Sequence, residues 1–173
     1  MHIHNYNDQQ WSELIKEHAQ FERSADLNGC LSERPQTAGE ALQYAAQYRS
    51  IHCLNVALQY CGADFYNIEQ ALIHAARNDD MHAVETLLQV APVELGSSEA
   101  LQAACLNRNS EMVECLLPLS DHTDALSFLN EIVPSAAQFL QQIVERKQAE
   151  EQKQVLDEAV AQWGGPASLK RKM

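Results

Sequence analysis

The sequence has few of the residues that interrupt regular structure. Only 6 glycines and 5 prolines occur among its 173 residues, and aromatic side chains make up 6%. Collagen-like and low-complexity architectures are therefore disfavoured, while a hydrophobic fraction of 46% suffices for a folded core. No apolar run approaches the roughly 18 residues that a membrane span needs. The first residues also lack the basic start and apolar stretch of a secretion signal, so we expect a soluble, cytoplasmic protein.

Motifs that carry chemistry are also missing. The five cysteines form no C-x-x-C pair, which disfavours a zinc site or a redox dithiol, and we expect them to be packed, reduced thiols. No nucleotide-binding loop, G-x-S-x-G elbow or H-E-x-x-H motif occurs. The only conceivable nucleophile and base pairs join Cys53 with His52, and Cys61 or Cys105 with His74. We therefore expect no catalytic residue, cofactor or metal site, and a thiol-dependent or metal-dependent enzyme is the disfavoured alternative.

Basic side chains are scarce. Lysine and arginine total 12 against 24 acidic residues, which gives a formal net charge of -12. Residues 40–131 alone carry 3 basic and 13 acidic side chains. Such a surface repels nucleic-acid phosphates and anionic lipids, so neither nucleic acid nor a membrane is an expected partner. A basic protein partner fits better, although an acidic surface also serves solubility alone.

An internal repeat occupies the middle of the chain. The block E-A-L-Q-Y-A-A at residues 40–46 recurs as Q-A-L-I-H-A-A at 70–76 and as E-A-L-Q-A-A-C at 99–105. A second apolar block follows each copy at a constant offset. Each copy is therefore predicted to form two short helices joined by a tight polar turn. Since neither helix can bury its apolar stripe alone, neighbouring copies must stack into a solenoid.

This pattern resembles the ankyrin repeat, whose copies run T-P-L-H-x-A-A, a turn, and then E-x-V-x-x-L-L. The third copy, residues 111–121, is similar to copies in short bacterial ankyrin proteins, where the outer helix runs into L-L-x-P-x-S-D. The resemblance implies an all-α, ankyrin-like helical solenoid of about three divergent repeats over residues 38–121. It also implies a bacterial protein, either cytoplasmic or translocated into a host cell.

Three departures from the family pattern bear on function. The T-P-L-H block is absent, which removes the threonine and histidine hydrogen bonds that link repeats in the family. The turn glycine is replaced by Arg49, Asp79 and Arg108. Copies are short, and the missing residues fall between Asp64 and Gln70, where a hairpin finger is expected. We therefore expect short, irregular fingers and favour binding through the inner-helix surface.

Helical segments flank the repeats. Residues 1–37 are predicted to form an N-terminal helical cap in which Trp11 and Phe21 are core residues. Residues 122–165 are predicted to form a C-terminal cap and a long helix, and residues 166–173 a disordered basic tail. The far end of the long helix carries a second apolar cluster after a polar run. That cluster could pack on another chain, or fold back through a break near Glu150.

The resemblance also points to a binding surface. In the family, positions just after the alanine pair line the concave face. The corresponding partner-binding residues are predicted to be Tyr44, Gln47, Tyr48, His74, Arg77, Asn78, Leu106 and Asn107. Tyr48 and Arg77 are the best anchors by residue type, because tyrosine and arginine are enriched among binding hot spots. The alternative is that all eight are ordinary surface side chains.

The sequence thus predicts a non-enzymatic protein-protein interaction module of adaptor or effector type. An immunity or antitoxin protein that occludes a basic toxin is the leading alternative, because a small acidic domain suits that role. A subunit that self-associates through the C-terminal helix is a further possibility. The sequence leaves these choices open.

Overall fold

The computed structural model describes residues 6–62, 65–91 and 97–162, and within those ranges it contains ten α-helices and no strand. The helices are α1 (Asp8–Gln20), α2 (Ser24–Glu33), α3 (Ala38–Gln47), α4 (Ile51–Cys61), α5 (Phe65–Arg77), α6 (Met81–Leu88), α7 (Ser98–Leu106), α8 (Ser110–Leu116), α9 (His122–Ile132) and α10 (Pro134–Gln162). The predicted all-α helical solenoid is confirmed. The predicted tail at 166–173 lies outside the described residues.

The helices form two rows. Consecutive helices pair as α1 with α2, α3 with α4, α5 with α6, α7 with α8, and α9 with α10. The first members of the pairs also contact one another in order, from α1 through α3, α5 and α7 to α9. We call these five helices the inner row. Each helix therefore buries one side against its partner and another against the next pair, as a solenoid requires.

Small residues allow the inner row to pack closely. The alanine pairs of α3 and α5 are fully buried, as are Ala104 and Cys105 at the same position of α7. Leu42, Leu72 and Leu101 fill the space beside them, and burial of one such side chain contributes about 2 kcal/mol. Gly39 of α3 lies against the side chain of Asn67 in α5. A Cβ atom there would lie 2.2 Å from the amide nitrogen of Asn67, so no larger residue fits without a shift.

The turn inside each repeat has one geometry. Arg49, Asp79 and Arg108 all adopt left-handed backbone conformations, with φ of 60°, 55° and 56°. In each copy the main-chain N–H of this residue and that of the next residue donate to carbonyl oxygens of the inner helix, which ends the helix in a Schellman-type cap. The turn therefore forms in all three copies without a glycine at this position. A side chain at this φ costs about 1 kcal/mol or more, so each of these residues is strained.

The first helix pair uses the same turn. Glu22 follows α1 with φ of 55° and an equivalent set of main-chain hydrogen bonds. Trp11 is buried as predicted, but the prediction that Phe21 is a core residue is wrong, because its side chain is 60% exposed. The reason is that α1 ends at Gln20, so Phe21 leaves the buried helical stripe. The guanidinium of Arg23 lies 5.5 Å from the centre of its ring.

The expected irregular finger between Asp64 and Gln70 is also wrong. Helix α5 begins at Phe65, so this stretch is the first turn and a half of an inner helix. Ile68 is fully buried there, and the amide of Gln43 donates to Asn67 at 2.9 Å. Burial of Ile68 and this contact with α3 extend the helix towards its N-terminus, where the family pattern places a loop.

Helix α10 has two different halves. Ala136, Leu140 and Ile143 are buried against the stack, whereas every side chain from Gln148 to Gln162 is exposed. The helix continues through Glu150, so the break considered there does not occur. The cluster containing Val155, Leu156 and Val160 is exposed, and Trp163 lies outside the described residues. Among the helices that the structure describes, none is long and apolar enough to span a membrane.

Candidate binding face of the inner helices

Stacking brings the eight predicted binding residues together as three aligned sets. Tyr44 and Gln47 lie in the last turn of α3, and His74 and Arg77 occupy the same positions in α5. Leu106 ends α7 one copy later. The remaining three, Tyr48, Asn78 and Asn107, each follow the last residue of an inner helix. Their use as binding residues stays a prediction, but their different surroundings divide the face into parts.

Two of the predicted residues hold neighbouring repeats together. The side-chain amide of Asn78 donates to the main-chain carbonyl oxygens of Ala46 and Gln47, at 3.0 and 2.8 Å. Asn107 makes the same contact one copy later, at 2.8 and 3.4 Å from the last carbonyl oxygens of α5. These bonds satisfy carbonyl groups that a helix end leaves without intrahelical partners. Tyr48 occupies the corresponding position in the first copy.

The turns carry a second set of contacts between repeats. Arg49 lies 4.0 Å from the carboxylate of Asp80, and the amide of Asn109 donates to Asp79 at 2.8 Å. Asp80 and Asn109 also accept main-chain N–H bonds that begin the outer helices α6 and α8. We call residues 48–50, 78–80 and 107–109 together the turn edge. The side chains of Arg49, Asn78, Asp79, Asn107 and Asn109 at this edge contact the neighbouring repeat.

The part of the inner face formed by α1, α3 and α5 is polar. The hydroxyl of Ser12 donates to Glu40 at 3.1 Å and lies 3.3 Å from the hydroxyl of Tyr44. His74 is half-buried, and burial, followed by the nearby cation of Arg77, holds its pKa below the ordinary histidine value. His74 is therefore neutral at pH 7. Tyr44 and His74 are thus only partly available to a partner.

The part formed by α7 and α9 contains an open groove of about 600 Å³. The groove is lined by Arg77, Glu99, Gln102, Ala103, Leu106, Asn107 and Phe128. Leu106 and Phe128 are 49% and 43% exposed, so both present apolar surface to solvent. We call this the α7–α9 groove. Three of its residues, Arg77, Leu106 and Asn107, were predicted to bind a partner.

Phe128, Glu99 and Gln102 also line the groove but were not among the predicted binding residues. The repeat pattern fades before α9, so Phe128 had no counterpart from which a role could be carried over. A signal was nonetheless present in the spacing. Ala125 and Leu129 form the buried stripe of α9, and Phe128 lies beside that stripe. A large aromatic residue next to a narrow buried stripe is a candidate for an exposed contact.

The thiols are in environments that disfavour nucleophilic chemistry. Burial raises the pKa of Cys105 to about 12 and also raises the pKa of Cys53. The Cys53 thiol donates to the main-chain oxygen of His18 at 3.6 Å. Since the thiolate is the nucleophile, Cys53 and Cys105 are unreactive at neutral pH. Their surroundings are those of packed core residues.

Comparison with known proteins agrees with the geometry of the stack. A family model described as ankyrin repeats in three copies matches residues 42–127, which is about half of the chain. The matched range runs from α3 into α9. No curated protein and no solved structure matches the chain.

Proposed function

The chain belongs to the ankyrin-repeat family, whose repeats are generally protein-protein interaction modules, and we propose that it is a non-enzymatic adaptor or effector. In this proposal the partner is a protein that binds the inner-helix face. We also propose that residues 38–121 carry the repeats, while 1–37 and 122–165 shield the two ends of the stack. The site of action is a bacterial cytoplasm or, after translocation, a host cell.

One observation carries the proposal: the inner helices align residues that differ from copy to copy. The aligned positions hold Tyr44 and His74, and then Gln47, Arg77 and Leu106, while the buried alanines beside them recur. The buried residues through which neighbouring repeats pack must be similar in each copy. Residues that recognise one particular partner have no such constraint and can differ between copies. Variation at these aligned positions of the inner helices therefore supports a recognition surface there.

The charge of the chain supports a basic partner. Acidic residues exceed basic residues by 12, and attraction between opposite charges speeds association and excludes acidic competitors. The same observation favours a second candidate, an immunity protein that occludes a basic toxin. That candidate predicts stoichiometric inhibition of one toxin, whereas an adaptor leaves the activity of its partner intact.

The test compares a double variant with wild type in affinity capture from the native lysate, read by mass spectrometry. We expect Tyr48→Ala with Arg77→Ala to lose the partner at unchanged thermal stability. Gln59→Ala with Glu85→Ala is the matched control, because both side chains are exposed on the outer helices α4 and α6. Capture that survives the first pair intact would show that the inner-helix face is the wrong surface.

A further inference from the structure

The α7–α9 groove has fixed walls. Helices α7 and α9 are tied at their N-termini, where the hydroxyl of Ser98 donates to the carbonyl oxygen of Asp121 at 3.3 Å. The hydroxyl of Ser120 donates to the carbonyl oxygen of Ser97 at 3.1 Å. Ala103, nearly buried, lies in the groove with Leu106 and Phe128. A preformed concavity reduces the ordering cost of binding.

The volume and lining of the groove suit a protein side chain. Its volume of about 600 Å³ falls in the range of sites that enclose small ligands, and it has room for one or two large side chains. The two exposed apolar residues, Leu106 and Phe128, can both contact an apolar group placed in the groove. An apolar anchor in a pocket is the usual centre of a protein interface.

The surroundings of the groove are acidic. Asp124 and Glu131 lie four residues before and three after Phe128 on α9, so they share its side of the helix, and both are exposed. No ion pair to either carboxylate occurs within the residues that the structure describes. Between Arg108 and Arg146 the sequence has six acidic residues and no lysine or arginine.

Among the described residues that line the groove, Arg77 is the one cation, and it is already paired. Its guanidinium lies 3.6 Å from the carboxylate of Glu99. This pair is exposed and contributes little to stability, but it neutralises Arg77 as an attractor of acidic groups. A ligand therefore meets Leu106 and Phe128 beside the carboxylates of Asp124 and Glu131, which form no ion pair within the described part of the chain.

We propose that the α7–α9 groove binds a short partner segment that presents an apolar side chain next to lysine or arginine. The apolar side chain lies between Leu106 and Phe128, and the cation pairs with Asp124 or Glu131. This inference rests on the proposed function and specifies the side chains that the protein partner presents. It also makes α9, a helix predicted to belong to a cap, part of the binding site.

Selection from a library of random twelve-residue peptides displayed on phage tests the proposal. The full chain is the target, and the Leu106→Ala/Phe128→Ala variant is used for counter-selection. We expect the enriched peptides to carry a leucine, isoleucine, methionine or aromatic residue within two positions of lysine or arginine. Enrichment of acidic or uncharged peptides would overturn the proposal, as would absence of enrichment.

The most enriched peptide is then synthesised with a fluorescent label. Its affinity for variants of the chain gives the contribution of the groove residues to binding. We expect Leu106→Ala/Phe128→Ala to weaken its affinity about tenfold. The control Phe21→Ala/Val90→Ala removes one phenylalanine and one aliphatic residue of similar exposure elsewhere and should leave affinity unchanged. Unfolding curves of both variants establish that they are folded. Equal affinity for the groove variant and wild type would contradict the inference.

Charge is tested separately. We expect Asp124→Asn/Glu131→Gln to weaken the peptide severalfold and to reduce the dependence of its affinity on salt. An unchanged salt dependence would remove the basic part of the proposal. If wild type self-associates and the groove variant does not, a second copy occupies the groove and the proposal is wrong. A further outcome is that the Tyr48/Arg77 variant loses its partner while the selection yields no peptide that depends on the groove. That combination would reject this inference alone and leave the proposed function intact.

Discussion

The turn edge and the α7–α9 groove use neighbouring residues of the same repeats for different purposes. Asn107 follows the last residue of α7 and donates to main-chain carbonyl oxygens of the previous repeat, whereas Leu106, one residue earlier, is half-exposed in the groove. At the turn edge, Asn78 and Asn107 recur in two copies and make the same bonds to the preceding repeat. Leu106 instead has Gln47 and Arg77 at the aligned positions of the other copies, and its side chain is half-exposed. Whether a side chain contacts the neighbouring repeat or faces the groove thus decides whether it contributes to stability or is available for recognition.

Removal of the two asparagines is expected to change the free energy of unfolding more than any other substitution at the turn edge. We expect Asn78→Ala to lower the free energy of unfolding by about 2 kcal/mol, since two hydrogen bonds to carbonyl groups are lost. Asn107→Ala should cost about 1 kcal/mol, because one of its bonds is longer. Urea denaturation gives both values.

Asn55→Ala is the matched control for the asparagine variants. Its side chain is exposed on α4, away from the turn edge, and a change within about 0.5 kcal/mol is expected. An equal loss in all three variants would show that the bonds at the turn edge contribute nothing special. A loss confined to Asn78→Ala and Asn107→Ala would sharpen the contrast with the groove.

Relief of strain at the turn edge should act in the opposite direction. We expect Arg108→Gly to raise the free energy of unfolding by about 0.5 to 1 kcal/mol, because glycine adopts φ of 56° without a Cβ clash. Arg108→Ala separates backbone from side chain, since alanine keeps the clash, and no gain is expected. Thermal and urea unfolding measure both. A similar gain from alanine would assign the effect to the lost arginine side chain.

Helix α10 also has a part that packs on the stack and a part that is exposed. Truncation of the exposed part has the smallest expected effect on stability. Removal of residues 148–173 takes away only exposed side chains among those described, so stability should change by less than about 0.5 kcal/mol. The contacts of Glu114 with Arg146 and Lys147 are retained. These cations hold the pKa of Glu114 below its usual range.

The truncated chain also tests self-association through the exposed cluster of α10. Analytical ultracentrifugation should show association in the full chain and a monomer after truncation. A full chain that stays monomeric would remove this idea. A loss of stability on truncation above about 1 kcal/mol would show that the distal half of α10 contributes to the fold.

Much of the fold could be predicted because helical repeats produce a regular pattern of apolar residues in the sequence. The alanine blocks at steps of 30 and 29 identified the inner helices, and a long C-terminal helix was predicted within residues 122–165. The position of Phe21 could not be predicted, because one residue beyond a helix end changes the direction of a side chain. The added turns of α5 depended on burial of Ile68 against neighbouring helices, which no local pattern records.

Less of the candidate site was predictable. Arg77, Leu106 and Asn107 were identified by their place in the repeat, and all three line the α7–α9 groove. Phe128 was missed because it lies on a helix where the repeat pattern ends. The structural contacts of Asn78 and Asn107 were missed for a related reason. An asparagine at a helix end is equally suited to solvent, a partner or a neighbouring carbonyl group, and only the spacing of the helices selects one.

The sequence by itself determined the ankyrin-repeat stack, its two-helix units and its acidic character, because these follow from periodicity and composition. The tertiary structure alone decided which polar residues hold the repeats together and where apolar surface remains exposed. Both depend on groups far apart in the chain, such as the Asn78 amide and the Ala46 carbonyl oxygen, or the side chains of Leu106 and Phe128. Local patterns set helices and their faces, but the packing of neighbouring pairs sets which groups meet.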